Sequence, residues 1–469
     1  MPEPHSGNSP MLVDPASEIM ALSNYGDAKN IVIVGCDLEG VLDEQAMSLA
    51  LAKALESFPV LLCSVKETRL KGRPCFMWVP DPDHGGQLQV ADFETLDGSL
   101  SFQDSLLRNL AGSLGKDWDL IKSAPTEFRL FRHARNRHSF FLLVHHAASD
   151  IWTGTGFLRE LLANYHRIMT GRPPQWAEEG AHTSAMKTSV VTPGKQNWSG
   201  MRLMARHALN CFMDKPTFPR GTGDPDKDGE YYVKTVLTAE ETNAIREAGA
   251  KAQAAFVDIL VWGVNMAVDK WNADLNIRPG TINVSVSVQM RGRYGELDAP
   301  MGSSAIVLRF PPTRRTDPAA LMGVITDNRA KQLRDLADVK ALQAAEKMCG
   351  AVGCLPLSTR RRLIHGLCQG RNRPILVGSL GVLWPKVENG RFSGDSYLTR
   401  AGGLEVTEAH VKGYALAVRN PLRLLAHTFN GKLNLLLWVC RGHFTRAEAT
   451  RFLNLFVQVL RENPFAGSH

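Results

Sequence analysis

Long apolar runs are missing from this chain of 469 residues. A membrane-spanning helix needs about 18–20 consecutive apolar residues, and each candidate stretch here is cut by Lys, Arg or Asp. The opening residues are acidic and rich in Pro and Ser, without the basic start or apolar stretch of a secretory leader. They read as a flexible tail over residues 1–27, and the chain as cytoplasmic. Cysteine is sparse. Of eight, only Cys349 and Cys354 lie close together, and no Cys/His pair completes a zinc pattern, so reduced, mostly buried thiols and no metal are expected. No phosphate loop is present: Gly154-Thr-Gly156 lacks the strand–GxGxxG–helix context. The Asp224/Asp226/Asp228 spacing imitates a calcium loop but reaches Thr235 where Glu is required. There is no short-period repeat. No Lys/Arg tract interleaved with aromatics marks a nucleic-acid surface, although Lys+Arg exceed Asp+Glu by 54 to 47, for a net charge of +7. That excess is dispersed. Its densest stretches are Arg360-Arg361-Arg362 and the region from Arg129 to Arg137.

What is present fits a soluble globular chain, with 44% hydrophobic and 22% charged residues. Strands and helices are mixed, an α/β pattern. Ile31 to Gly35 reads as a strand, and Asp43 to Ser57 as an amphipathic helix carrying Met47, Leu51 and Leu55. Val60 to Cys63 and Cys75 to Val79 are strand-like. Phe128–Phe131 and Ser139–Val144 are two apolar runs joined by a hairpin-sized connection. A helix follows from about Thr155 to Thr170. Residues 171–229 are rich in Pro, Gly, Thr and Lys. The second half opens with the strand from Glu230 to Leu237 and a capping box, Thr238 to Glu241. It continues with an alternating strand, Thr281 to Val288. It closes with strands around an Asn430-Gly431 turn and a second capping box, Thr445 to Glu448.

One motif carries chemistry: His145-His146-xxx-Asp150, at the end of an apolar strand. Polar side chains where a strand stops face a cleft rather than a core. An imidazole there can accept a proton from an attacking amine or hydroxyl, because it titrates near neutrality. An Asp four residues on can anchor the turn by pairing with an Arg.

The segment Phe140 to Tyr165, with Trp152, Leu158, Glu160 and Leu161 placed after the motif, resembles the condensation domains of nonribosomal peptide synthetases and their HHxxxDG signature. The likeness extends from about residue 28 to the end, through Asp119 to Phe131, Val284 to Arg293, Pro300 to Ser304 and Ile375 to Leu383. The resemblance implies two chloramphenicol-acetyltransferase-like α/β sandwich lobes in a V around a central tunnel, one over 28–180 and one over 230–469, with 181–229 as linker. It implies His146 as base or positioning residue, His145 as structural, and Asp150 as structural through an arginine of the second lobe, Arg291 or Arg293. The family's Gly after Asp is Ile151 here. A β-branched residue avoids positive φ, so the turn or the channel beside it is expected to differ.

The implied activity is transfer of an acyl group from a phosphopantetheine thioester to an amine or alcohol in natural-product biosynthesis, by a monomer with no bound cofactor. The donor would arrive on an acyl or peptidyl carrier protein met in trans, with Arg360, Arg361 and Arg362 as first candidates for docking it. Two alternatives stay open. One is an acyl-CoA-dependent O-acyltransferase of the wax-ester-synthase or polyketide-associated type. The other is a degenerate domain that only docks carriers.

Overall fold

A computed structural model of the chain describes residues 10–23, 30–70, 73–81, 86–93, 102–115, 118–133, 136–174, 176, 202, 205, 216–224, 230–290, 302–368, 374–388, 391–415 and 422–462. In chain order its strands are β1 (Met11–Leu12), β2 (Asn30–Glu39), β3 (Cys63–Leu70), β4 (Arg73–Pro80), β5 (Leu88–Asp92), β6 (Thr126–His133), β7 (Arg137–His145), β8 (Glu230–Leu237) and β9 (Ile282–Gln289). There follow β10 (Ser303–Phe310), β11 (Ile375–Val382), β12 (Pro385–Glu388), β13 (Arg391–Ser396), β14 (Arg400–Ala401), β15 (Leu404–Ala415), β16 (Leu422–Phe429) and β17 (Lys432–Cys440). Two six-stranded sheets organise the fold, ordered β14-β15-β2-β7-β6-β5 and β10-β9-β11-β16-β17-β8. β1, β4 and β3 form a small third sheet, and β12 and β13 pair as a hairpin.

Alternation along β2 explains the first sheet's two cores. Val32, Val34 and Cys36 point one way, into a cluster with Met47, Leu51, Leu55, Phe157 and Leu161 from the helices Glu44–Ser57 and Ile151–Thr170. Ile31 and Ile33 point the other way, against Leu106, Leu110, Phe141 and Leu143. Gly154 lets the Ile151–Thr170 helix lie close to β2, since an added Cβ there would come within 2.6 Å of Val34. In the second sheet Val284 and Val286 face the helices Phe256–Asp274 and Arg446–Arg461. The opposite face turns Tyr232, Leu425, Phe429, Leu436 and Trp438 into the core of the first sheet, so one apolar core continues between the lobes.

The expected hairpins and caps form. β6 pairs with β7, and β16 with β17 across Asn430-Gly431, both residues at positive φ. Both capping boxes are present. Other expectations need correction. Val60 lies in a short 3-10 turn, and the strand begins only at Cys63. The expected 1–27 tail contains β1, paired with β4, and the helix Pro15–Ser23. Asp14 caps that helix by accepting from the Ala16 and Ser17 N–H groups, with Pro15 next in line. The helix packs on the second-half helices Ala337–Val352 and Leu357–Cys368. β14 and β15 belong to the first sheet, although their residues fall within the expected second lobe. Most of the expected linker lies outside the described residues.

The arginine cluster is also read differently. Arg360 is buried, paired with Glu67 and stacked over Phe76 with its guanidinium 5.0 Å from the ring centre. Arg361 is mostly covered and grips Asp119 with two bonds, of 2.6 and 3.2 Å. Only Arg362 is exposed. One helical turn points successive residues in different directions, so a sequence cluster is not a surface patch.

Polar groups gather where β15 meets the second sheet. Ser139 Oγ donates to Asp37 at 2.5 Å and His410 Nε2 lies 3.0 Å from the same carboxylate. Lys234 of β8 pairs with Glu408, which lies 3.8 Å from His410 Nδ1. Burial and the nearby Lys234 push His427 down to about 3. Burial likewise takes His145 to about 3. Both rings are neutral in the fold but gain protons below about pH 6.5 once unfolded. Their stabilising contribution is therefore whole above that value and is lost as pH falls toward 3. The melting temperature should drop between about pH 7.5 and pH 5, and drop less in His427→Gln. Equal drops in differential scanning fluorimetry would remove His427 from the acid sensitivity.

Candidate active site

β7 ends at His145, and His146 opens the turn that follows it. The His145 N–H donates to the Pro125 carbonyl and the His146 N–H to the Asn30 carbonyl, both at 2.7 Å, so the strand end is gripped from both sides. A turn over residues 146–148 closes through Ala148 N–H to the His145 carbonyl at 2.9 Å. The two rings then have different fates. His145 is fully buried, and its Nδ1 accepts from the Ala147 N–H at 3.1 Å. That fixes the proton on Nε2 and makes the ring a cap for the turn. His146 is half-buried, with Nδ1 3.1 Å from the Ser149 carbonyl oxygen. A carbonyl only accepts, so Nδ1 carries the hydrogen and Nε2 keeps its lone pair. Burial lowers the His146 pKa below the usual 6.5, while the Ser149 carbonyl and the Asp150 charge act the other way. At neutral pH this ring is an unprotonated base.

Asp150 is the N-cap of the helix Ile151–Thr170, which begins four residues earlier than its apolar spacing suggests. Its Oδ1 accepts from the Thr153 N–H at 2.8 Å. Its Oδ2 accepts from the Gly302 N–H at 3.0 Å. Gly302 belongs to the second half and opens β10; its carbonyl accepts from Met290 N–H at 2.8 Å. Asp150 is thus bonded to the second half through a backbone amide. Arg291 and Arg293, the expected partners, lie outside the described residues. Gly302 was missed because a backbone donor leaves no mark in side-chain identity. Ser149, buried, spends its hydroxyl on the Asp150 carbonyl at 2.8 Å, which leaves it no role as a nucleophile.

Ile151 occupies the first turn of its helix with ordinary backbone and packs against the first core. The expected conflict with positive φ does not arise, because the chain enters the helix directly from Asp150. Opposite, β9 turns Ser285, Ser287 and Gln289 away from the second core, a polar face on the side shared with the first lobe.

Among the described residues, Asp37, Glu408 and His410 are the only cluster with donors close enough for a metal ion. The two nitrogens of the His410 ring face different carboxylates, and Lys234 already neutralises Glu408. One donor atom from each residue lies within 4.8 Å of the others, but both carboxylates already have internal partners, Asp37 in Ser139 and Glu408 in Lys234.

No family model matches the chain. Over 140 residues, 30% of its length, it is 29% identical to the probable non-canonical nonribosomal peptide synthetase CymA of Salinispora arenicola (strain CNS-205), and the matched stretch spans 2% of that protein. It resembles the first condensation domain of the calcium-dependent antibiotic synthetase in complex with a substrate analogue. The TM-score is 0.68 and the identity 16%, over 97% of this chain and 96% of the other. It also resembles the TRI3 trichothecene 15-O-acetyltransferase of Fusarium sporotrichioides, with a TM-score of 0.69 and 13% identity over 97% and 95% of the two chains.

The two bonds to Asp150 predict its variants. Losing an N-cap costs about 0.5–2 kcal/mol and losing a bond to a charged acceptor about 1.5–3. Asp150→Ala should therefore be destabilised by about 2–5 kcal/mol in chemical unfolding, and Asp150→Asn by less, since its amide oxygen can still cap. Unchanged unfolding of the Ala variant would contradict the tie to Gly302. In architecture, the chain has the fold shared by nonribosomal-peptide condensation domains and related acyltransferases.

Proposed function

We propose that the protein is an acyltransferase of the condensation type, moving an acyl group from a phosphopantetheine thioester to an amine or alcohol. The observation that carries this reading is the state of His146, a neutral ring held by Ser149 with Nε2 as its lone-pair atom. In the proposed reaction the acceptor N–H or O–H donates to His146 Nε2 as its lone pair attacks the thioester carbonyl. The tetrahedral adduct collapses, the carbon–sulfur bond breaks, and the thiolate takes the proton back from Nε2. The proton balance closes within one residue. Asp150 and His145 would hold the turn and touch no reacting atom.

The fold likeness to a condensation domain supports a donor on a carrier protein, and a net charge of +7 suits an acidic partner. With Arg360 and Arg361 committed to internal partners, they are not proposed as the docking patch. The likeness to a trichothecene O-acetyltransferase favours a second reading, an alcohol acceptor with an acyl-CoA donor. Intact mass of an acyl-loaded carrier, before and after incubation with the protein and candidate acceptors, separates the two when run beside the same acyl group on CoA. Equal transfer from both, insensitive to salt, would favour CoA. No transfer from either would favour a domain that only docks carriers.

His146→Ala should lower turnover by about 100-fold or more with the fold retained. Near-full activity in that variant would end the base assignment. A base whose pKa lies below 6.5 stays unprotonated further into acid, so the acid limb of kcat/KM should fall below pH 6.5. A limb at or above that value would mean that burial does not control the ring.

A further inference from the structure

Two elements outside the main sheets converge behind the histidine pair. The first is the helix Pro15–Ser23. Asn30, whose carbonyl takes the His146 N–H, donates its side-chain amide to Met20 O at 3.2 Å and Ser23 Oγ at 2.8 Å. The second is the helix Leu357–Cys368, which touches the first through His365 Nδ1, 3.2 Å from Ser23 O. From this helix Arg361 reaches Asp119 with both arms. Asp119 heads a turn: its carboxylate accepts from Ile121 N–H at 3.1 Å, and its carbonyl from Lys122 and Ser123 N–H at 2.9 and 3.2 Å. The turn runs into Pro125, whose carbonyl holds the His145 N–H. A bidentate guanidinium–carboxylate pair fixes direction as well as distance. The chain of bonds therefore runs from Arg361 through Asp119 and Pro125 to the end of β7.

We propose that Arg361 is a positioning residue for His145 and His146, acting through Asp119 and the 119–125 turn, and that it balances the Asp119 charge which the His145 ring would otherwise feel. The importance for catalysis rests on the acyltransferase reading; the electrostatic coupling itself does not. Asp119 is held below the usual carboxylate range by Arg361 against the effect of burial. His145 is lowered chiefly by burial and also by His146, while Asp119 and Arg361 push it in opposite directions.

The opposed charges give a test that damage to the fold would not mimic. Full-length protein labelled with ¹³C in histidine is titrated by NMR, with the His145 signal assigned by its loss in His145→Gln. Arg361→Gln leaves Asp119 unbalanced and should raise the His145 midpoint by about half a pH unit or more. Asp119→Asn leaves Arg361 unbalanced and should lower it. The double variant Asp119→Asn/Arg361→Gln should return toward the parent value. Shifts of the same sign in both single variants, or none, would overturn the proposal. In the transfer assay Arg361→Gln should reduce kcat several-fold with KM little changed, and Arg361→Lys should recover part of the loss. Opposed NMR shifts in a protein that transfers no acyl group would leave the coupling standing and remove only the reaction.

Discussion

One carboxylate sets the geometry on which the site depends. Both oxygens of Asp150 are committed, one to the first turn of the following helix and one to Gly302 of the other half. Only three residues separate His146 from Asp150, so fixing Asp150 fixes the turn between them. That turn aims the Ser149 carbonyl at His146 Nδ1, which decides where the ring's proton resides. A buried carboxylate carries a desolvation cost of several kcal/mol, and its bonds mostly repay it. The gain from Asp150 is thus orientation more than stability.

The two lobes are interlocked by chain crossing as well as by contact. β15 pairs with β2 along ten residues of register, so a second-half strand completes the first sheet. The same strand carries Glu408, His410 and Lys412 toward the second sheet, where Lys234 pairs with Glu408 and Lys412 lies over Tyr232 at 4.4 Å. Glu408 stands directly opposite Asp37, a placement that repels unless cations lie between. Lys234, from the other sheet, supplies one. Charge balance at this seam thus needs both sheets together, which links the register of β15 to the docking of the lobes.

The sequence made the motif legible because its logic is local: a strand end, two imidazoles and a capping Asp within six positions. The hairpins and capping boxes were legible for the same reason. The helix Pro15–Ser23 carried a readable start in Asp14-Pro15, but its apolar residues acquire meaning only against helices more than 300 positions away. β15 could not be placed, since a strand's pattern does not say which sheet will take it. Gly302 and the carbonyls of Ser149, Asn30 and Pro125 act through the backbone and have no side-chain signature. Arg360 to Arg362 read as surface because charge usually is exposed; their partners Glu67 and Asp119 lie far off in the chain.

The paired histidines show how position alone divides one residue type into two roles. His145 is the last residue of β7 and His146 the first of the turn, and the two rings meet different partners. His145 follows Leu143 and Phe141 into the closed side. There its ring must stay neutral, because a second proton on Nδ1 would break the bond from Ala147 and place a charge in an apolar wall. His146, one residue on, leaves toward the half-open side and meets a carbonyl. Its Nδ1 therefore donates where the Nδ1 of His145 accepts, and the two rings hold opposite tautomers. A neutral His145 spares its neighbour a positive charge at close range, which would otherwise depress the basicity of His146 further. The buried histidine is thus part of the electrostatics of the half-buried one, and a motif with a single histidine would lack both the turn cap and the uncharged neighbour.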